Sequence, residues 1–173
     1  FKSSLFGIIG VLFLFLSPRI FSHSFYNSKD IIFMALNIIN IYFGIKYLEN
    51  SNFKNTIFFS IFSGLSIGTR LLGIYLPVLF FIFKAIQILR SKIKLRRQFL
   101  NIFVSFILTL IFIYIFFPYL WSNPITNFSN AFFKIGNIDI GLYNLFLGEK
   151  IPATYVPWNY SIVWILISNP ITY

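Results

Sequence analysis

Phe99-Leu-Asn-Ile-Phe-Val-Ser-Phe-Ile-Leu-Thr-Leu-Ile-Phe-Ile-Tyr-Ile-Phe-Phe117 is a stretch without a single charged residue. Because about 20 residues of α-helix cross the hydrocarbon layer of a bilayer, this stretch predicts a membrane-spanning helix. Pro118 follows it directly and has no backbone N–H to donate, so the helix should end there. The chain as a whole is similar, with 58% hydrophobic and only 10% charged residues and a mean hydropathy of +0.82. We therefore predict an all-α, multi-pass integral membrane protein.

Most of the basic residues precede that stretch. The formal net charge is +10, and six of the 14 basic residues lie close together: Lys84, Arg90, Lys92, Lys94, Arg96 and Arg97. Cytoplasmic loops of membrane proteins carry such an excess of Lys and Arg, which lies near anionic lipid head groups. We therefore predict a cytoplasmic loop with membrane lipids as its partners, and no nucleic acid. The chain has no cysteine, which excludes disulfides, thiolate nucleophiles and Cys-based metal sites.

The apolar stretches on either side of this loop predict a transmembrane helical bundle of about six spans, two of them truncated. The predicted spans are residues 4–17, 31–48, 56–71, 73–90, 99–117 and 161–173. We expect external loops at 18–30 and 118–160, and cytoplasmic loops at 49–55 and 91–98. The first and last apolar stretches are short for a span, and the chain lacks an initiator Met, so we expect a fragment forming one transmembrane domain, residues 1–173.

The first predicted external loop, Ser17-Pro-Arg-Ile-Phe-Ser-His-Ser-Phe-Tyr-Asn-Ser-Lys-Asp30, concentrates ionisable residues between two apolar stretches. Membrane proteins keep such groups where they meet water, a substrate or each other. Asp30 lies at the first turn of the next predicted helix, where a carboxylate is favoured electrostatically, so it is either a helix cap or an acid of a functional site. Arg19 and Lys29 fit either as ion-pair partners or as cations for an anionic phosphate. A single His23 is weak evidence for a metal site.

Arg70 stands within the apolar stretch Gly64-Leu-Ser-Ile-Gly-Thr-Arg-Leu-Leu-Gly73. An unpaired charge deep in lipid costs about 2.5 to 3.5 kcal/mol on insertion scales, so Arg70 should face protein or water. In the predicted topology it lies near the external surface, at the level of Asp30. We therefore expect either a structural ion pair or an interfacial arginine, or else a site for a lipid phosphate head group.

Three regions of the chain resemble one family when they are taken in order. They are Ser17–Asp30, Ser63-Gly-Leu-Ser-Ile-Gly-Thr-Arg-Leu-Leu-Gly73, and Pro118-Tyr-Leu-Trp-Ser-Asn-Pro124 together with Pro157-Trp-Asn-Tyr160. This series resembles the polytopic GT-C glycosyltransferases related to protein O-mannosyltransferases and to the lipid A aminoarabinose transferase. The resemblance implies transfer of a hexose or pentose from a polyprenyl-phosphate-type lipid donor. The acceptor would be a glycan, lipid or protein at the outer face of the membrane, which we expect to be a bacterial inner (plasma) membrane.

The same resemblance implies roles for particular residues. The principal catalytic Asp of the family lies in the first external loop, upstream of the spans represented here, so this fragment should be inactive alone. Asp30 would be a supporting catalytic acid, and the predicted substrate-binding residues are Arg19, Lys29, Arg70, Trp158 and Tyr160. Where some relatives carry Pro-Trp-His-Tyr, this chain has Asn159. No cofactor is implied with certainty, no metal ligand is assigned, and a role for a divalent metal ion stays open.

Two other classes of protein could use the same residues. A transporter or channel subunit could place Arg70 in a broken-helix region with Gly64, Gly68 and Gly73. A noncatalytic membrane scaffold could use Asp30 and Arg70 as a structural pair only. A transporter should carry polar groups near the bilayer midplane, whereas the polar groups of this chain are predicted to gather at one face, which favours interfacial chemistry.

Overall fold

The computed structural model describes residues 4–90, 95–134, 143–152 and 155–168. Two compact units make up the chain, Phe1–Phe132 and Phe133–Tyr173. The described helices are α1 Ser4–Leu16, α2 Pro18–Tyr26, α3 Ser28–Glu49, α4 Phe53–Thr69, α5 Tyr75–Arg90, α6 Leu95–Phe116, α7 Pro124–Lys134 and α8 Tyr160–Ser168. Strands β1 Tyr143–Phe146 and β2 Glu149–Pro152 form an antiparallel pair, and short 3₁₀ helices occupy Leu71–Ile74 and Pro118–Leu120.

The all-α, polytopic architecture predicted from the sequence is confirmed. Within the described residues, three helical segments are long and apolar enough to cross a membrane: Ser28–Glu49, Leu71–Arg90 and Gln98–Phe116. A fourth candidate is α1 together with α2, which bend by 61° at their junction. Pro18 begins α2, and proline is favoured at a first helical position, where its missing N–H costs nothing.

Two segments differ from the predicted element boundaries. Most of the stretch 18–30, expected as a connection, is helical, because α2 covers Pro18–Tyr26 and α3 already begins at Ser28. The predicted external loop 118–160 contains α7 and the β1–β2 hairpin. The sidedness of both loops stays a prediction.

The predicted span 56–71 corresponds to α4, which has 17 residues and is therefore about 25 Å long. It is short for a bilayer span, but its buried residues lie along its whole length, so protein rather than lipid surrounds much of it. The break between α4 and α5 consists of Arg70 and the 3₁₀ helix Leu71–Ile74.

Helix α4 packs directly against α6 because small residues remove the side chains between them. A Cβ atom added to Gly64 would lie 2.7 Å from the backbone carbonyl carbon of Phe112, and one added to Gly68 would lie 2.5 Å from the carbonyl oxygen of Phe116. Gly64 and Gly68 form a Gly-x-x-x-Gly pattern, which lets transmembrane helix backbones approach closely. The α4–α6 contact therefore depends on the absence of side chains at these two positions.

Buried hydroxyl and amide groups connect α4 to α3. Ser66 donates to Asn37 Oδ1 over 2.9 Å, and Ser63 donates to Asn40 Oδ1 over 3.1 Å. All four side chains are buried. In an apolar surrounding an unpaired polar group is costly, so each pair favours one register of the two helices.

The same face of α4 also reaches α6 through polar groups. Ser60 donates to the carbonyl oxygen of Ser105 over 3.2 Å, and Thr109 donates to the Ser60 hydroxyl over 3.3 Å. Ser60, Ser105 and Thr109 are buried. We call the set of buried Asn, Ser and Thr side chains around α4 the polar ladder; its members are Asn37, Asn40, Ser60, Ser63, Ser66, Ser105 and Thr109.

An aromatic cluster packs the other half of the α3–α4–α5 interface. The rings of Tyr47 and Phe59 stack with centroids 5.1 Å apart, and Phe80 meets Phe59 edge-on at 5.6 Å. Gly44 leaves room for the Phe80 ring, since a Cβ atom there would lie 2.5 Å from it. These contacts hold α5 against the α3–α4 hairpin.

Lys84 is part of this bundle, although the sequence groups it with the cytoplasmic basic cluster. It is only 7% exposed, and its ammonium group donates to Gln87 Oε1 over 3.0 Å and to the Leu48 carbonyl over 3.4 Å. In that basic cluster, Lys92 and Lys94 lie outside the described residues, as do the side chains of Arg96 and Arg97. Lys84, on α5, is therefore a buried hydrogen-bond donor to the C-terminal end of α3.

The end of α6 follows from Pro118. Because proline has no N–H, the Tyr114 carbonyl lacks its usual helical donor. The indole N–H of Trp121 donates to this carbonyl over 2.8 Å, and Asn127 donates to the Tyr119 carbonyl over 2.6 Å. These bonds fix the turn that leads into α7.

The second unit contains the β1–β2 hairpin and α8. Leu147 and Gly148, at the turn, both have positive φ values, 50° and 92°. Such a two-residue turn matches the twist of the paired strands. The ring of Phe146 lies 5.3 Å from that of Tyr160, which attaches the hairpin to the start of α8.

We expect replacement of Gly68 by alanine to destabilise the bundle by about 1 to 3 kcal/mol, because the added methyl group must push α4 away from α6. The measurement is the free energy of unfolding in mixed micelles by titration with a denaturing detergent. Gly10→Ala in α1 is the matched control, since nothing lies within 4 Å of a Cβ atom there. Equal stability of the two variants would contradict close α4–α6 packing.

Candidate functional site

The strongest polar feature at the surface of the first unit is an ion pair between Arg70 and Asp30. One guanidinium nitrogen of Arg70 contacts Oδ1 of Asp30. The two residues are 40 positions apart in the chain, and the antiparallel packing of α3 and α4 brings them together. The sequence predicts that Arg70 and Asp30 lie at the same depth, where they could form an ion pair, and in the structure they do.

Helix ends explain why these two charges stand here. Asp30 lies in the first turn of α3, where the partial positive charge of a helix N-terminus favours an anion. Arg70 is the residue that ends α4, where the partial negative charge favours a cation. Its backbone is extended, with φ −146° and ψ 128°, and its N–H still donates to Ser66. Each charge is therefore favoured by its own helix and by its partner.

Asn27 completes the contacts of the Asp30 carboxylate. Its side-chain amide donates to Oδ2 of Asp30 over 2.5 Å, while Arg70 contacts Oδ1. The carboxylate is thus held through both oxygens, one by a cation and one by an amide. Helix capping alone, one of the two readings of Asp30 from the sequence, does not describe these contacts.

The pair is open to solvent and can meet a ligand. The side chains of Arg70 and Asp30 are 41% and 40% exposed. A guanidinium group has five N–H donors in a planar fork, so pairing with one carboxylate oxygen leaves donors for a phosphate. The arrangement can therefore bind an anion beside a fixed carboxylate at the end of the bundle.

Arg19 and Lys29 do not join the ion pair. Arg19 is exposed in the first turn of α2, and Lys29 is exposed at the position before Asp30. Among the described residues neither forms an ion pair, in contrast to Asp30. His23 is half-buried in the last turn of α2. Both cations are accessible, and their substrate-binding role stays a prediction.

Trp158 and Tyr160 belong to the second unit. Trp158 is 87% exposed, and Tyr160 is half-buried at the first position of α8. The Tyr160 ring lies between Phe146 and Trp164, with centroid distances of 5.3 and 6.2 Å. Tyr160 therefore has a packing role within its unit, whereas Trp158 is available to a membrane surface or a ligand. Their assignment to a substrate site stays a prediction.

A metal-binding cluster does not occur in the part of the chain that the structure describes. No three His, Asp or Glu side chains among those residues lie close enough together to hold a metal ion. The candidate site is therefore described by its carboxylate, amide and guanidinium groups.

Sequence reasoning missed Asn27 and the polar ladder. Asn27 lies within the quoted stretch Ser17–Asp30, and its position three residues before Asp30, at the N-cap of α3, was a local signal for this contact. The ladder also had a signal, because Ser60, Ser63 and Ser66 recur every three residues and so lie along one side of a helix. That spacing does not identify their partners, which lie on α3 and on α6.

Taken together, the fold and the site define a multi-pass integral membrane protein with an ionic site at one end of its helical bundle. The family model described as dolichyl-phosphate-mannose-protein mannosyltransferase matches residues 2–120 of the 173. This is more than two thirds of the chain, and the chain belongs to that family. No curated protein and no solved structure matches it.

Family membership confirms the relation to GT-C glycosyltransferases predicted from the sequence. It indicates a membrane glycosyltransferase. The matched residues include Arg19, Lys29, Asp30 and Arg70, whereas Trp158 and Tyr160 lie outside them.

We expect the Asp30–Arg70 pair to contribute only about 0.2 to 1 kcal/mol to stability, because both side chains are partly solvated. A double-mutant cycle with Asp30→Asn, Arg70→Met and the combined variant measures this coupling as a free energy of unfolding. A coupling above about 3 kcal/mol would instead indicate a pair on which folding depends.

Proposed function

We propose that this chain is part of a glycosyltransferase that moves a sugar, mannose in the first instance, from a polyprenyl-phosphate-type lipid to an acceptor at the outer face of the membrane. The acceptor is a glycan, lipid or protein, and the membrane is a bacterial inner (plasma) membrane. The observation that carries this proposal is the solvent-open Asp30–Arg70 pair at the end of the bundle, within the part matched by the family model.

The reaction needs an anion site next to a proton acceptor. The acceptor hydroxyl oxygen forms a bond to the anomeric carbon of the sugar, and the bond from that carbon to the phosphate oxygen breaks. The lipid phosphate leaves with the bonding electrons, and the hydroxyl proton passes to a carboxylate base. Hexosyl and pentosyl transfer follow the same scheme.

In this scheme Arg70 binds the departing phosphate, where negative charge increases in the transition state. Arg19 and Lys29 add positive charge around the same group, and Asp30 is a supporting acid that orients Arg70. The principal base is an Asp in the family's first external loop, upstream of Phe1, so residues 1–173 alone should not transfer sugar. Trp158 and Tyr160, in the second unit, are proposed to bind substrate through their aromatic rings.

The rival functions use the same pair differently. In a transporter or channel subunit, Arg70 would serve passage of an ion or solute, and in a scaffold the pair would only join α3 to α4. The polar ladder lies along the helices as a transport pathway might, but its members are uncharged, and most of their side chains form hydrogen bonds within the set. Such internally bonded groups are typical of helix association.

We expect Arg70→Met in the full-length protein to lower the initial rate of sugar transfer about a hundredfold, because one donor to the departing charge is lost. Asp30→Asn should lower it about tenfold. The measurement is transfer from a labelled polyprenyl-phosphate-mannose in reconstituted vesicles. Lys134→Met, an exposed cation on α7, is the matched control and should leave the rate unchanged.

The double variant Asp30→Arg with Arg70→Asp exchanges the two charges. It distinguishes a role of the pair in sugar transfer from a role in structure alone. The exchanged pair can still join α3 to α4, and its unfolding free energy reports whether it does. We expect no recovery of transfer, since the cation no longer lies where the phosphate binds. Full recovery of the rate, or normal rates in Arg70→Met, would leave the pair with a structural role only.

A further inference from the structure

A second polar site lies at the opposite end of the α3–α4 hairpin. The turn between these helices borders a cavity of about 460 Å³, which we call the turn cavity. Its principal lining residues are Tyr42, Lys46, Glu49, Asn50, Asn52 and Lys54. About 24 Å of helix separate Lys46 from Asp30, so the turn cavity is distinct from the Asp30–Arg70 pair.

The walls of the turn cavity are held in place before any ligand binds. The Asn55 side-chain amide donates to the Asn50 carbonyl over 2.8 Å and to the Lys46 carbonyl over 3.2 Å. Asn52 accepts from the Asn55 N–H over 2.8 Å. These bonds tie the turn to both helices, so a ligand would not have to order it.

The charges of the turn cavity favour an anion. Lys54 has no ion-pair partner in the described part of the chain, and Lys46 meets Glu49 only at 3.9 Å, the outer limit of an ion pair. The Lys46 ammonium also lies 5.9 Å from the centre of the Tyr42 ring, which holds it beside the cavity. Two cations and one carboxylate leave one positive charge, and the amides of Asn50 and Asn52 can donate to oxygen.

The position of the turn cavity identifies the source of the anion. Residues Ser28–Glu49 form a candidate membrane span, and the cavity lies where that span ends, at the depth of lipid head groups. Basic pockets between transmembrane helices bind lipid phosphates at this depth. A membrane lipid reaches the site at high local concentration, whereas a soluble phosphate must compete from solution.

We propose that the turn cavity binds the phosphate of an anionic glycerophospholipid, with Lys46 and Lys54 as its cationic contacts. The phosphodiester accepts from both ammonium groups and from the turn amides, and the Tyr42 ring borders the glycerol side. This binding site does not depend on the transferase reaction, because it lies at the other end of α3.

The test is binding of phosphatidylglycerol to the full-length protein in neutral detergent, followed by native mass spectrometry, with phosphatidylcholine as the comparison lipid. We expect the anionic lipid to bind at least about tenfold more tightly. Lys46→Gln with Lys54→Gln should weaken its binding about tenfold, since two cationic contacts are lost. Lys134→Gln with Lys150→Gln, which removes the same charge from exposed positions, should change it less than twofold.

A third variant tests the site without removing a contact. Glu49→Gln should strengthen phosphatidylglycerol binding about threefold, because it removes the only carboxylate that lines the turn cavity. Equal losses in the two double variants, no preference for the anionic lipid, or no gain in Glu49→Gln would each overturn the proposal. Full competition by inorganic phosphate at the same concentration would also overturn it, by identifying a soluble ligand.

Discussion

The close packing of α4 between α3 and α6 is the constraint on which the rest of the first unit depends. Gly64 and Gly68 allow the backbone of α4 to meet that of α6, and the polar ladder fixes its register against α3. Because α3 and α4 are antiparallel, this one register determines which residues of the two helices are in contact at each end of the hairpin. It brings Arg70 to Asp30 at one end and closes the turn cavity at the other.

The distribution of charge follows the cost of placing ions in an apolar surrounding. Uncharged hydroxyls and amides occupy the middle of the interface, where Ser63 and Ser66 donate to the amides of Asn40 and Asn37, while Asn40 Nδ2 and the Ser105 hydroxyl have no partner among the described residues. The charges of Asp30 and Arg70 stand at helix ends whose dipoles favour them, and both side chains are partly exposed to solvent. Lys84 is the instructive exception, a buried cation whose ammonium donates to the Leu48 carbonyl and Gln87 near the end of α3. The buried polar side chains therefore hold the helices together, and the proposed binding sites lie at the ends of the bundle.

This division suits a membrane glycosyltransferase that handles a lipid-linked sugar. The rigid hairpin supplies a fixed carboxylate and a guanidinium group that are both accessible, while much of the outer surface of α1, α5 and α6 is apolar and exposed to lipid. The glycines and the polar ladder pack the middle of the helices, and the Asp30–Arg70 pair adds a contact between α3 and α4 at one end. The exposure of the pair leaves it accessible to a ligand, as its proposed binding role requires.

The sequence by itself determined the class of the protein. Apolar stretches of about span length and their intervening loops predict an all-α membrane bundle, because helices satisfy their backbone hydrogen bonds internally in the hydrocarbon layer. Arg70 stands out because a charge within such a stretch is costly. The ordered motifs also pointed to the family that matches the chain. Only the tertiary structure decided which polar groups meet. Arg70 on Asp30, Ser66 on Asn37 and the inward turn of Lys84 all depend on helix register, which is set by contacts between residues distant in the chain. The spacing of residues predicts the helix face on which a side chain lies, but its hydrogen-bond partner is determined by how the helices pack.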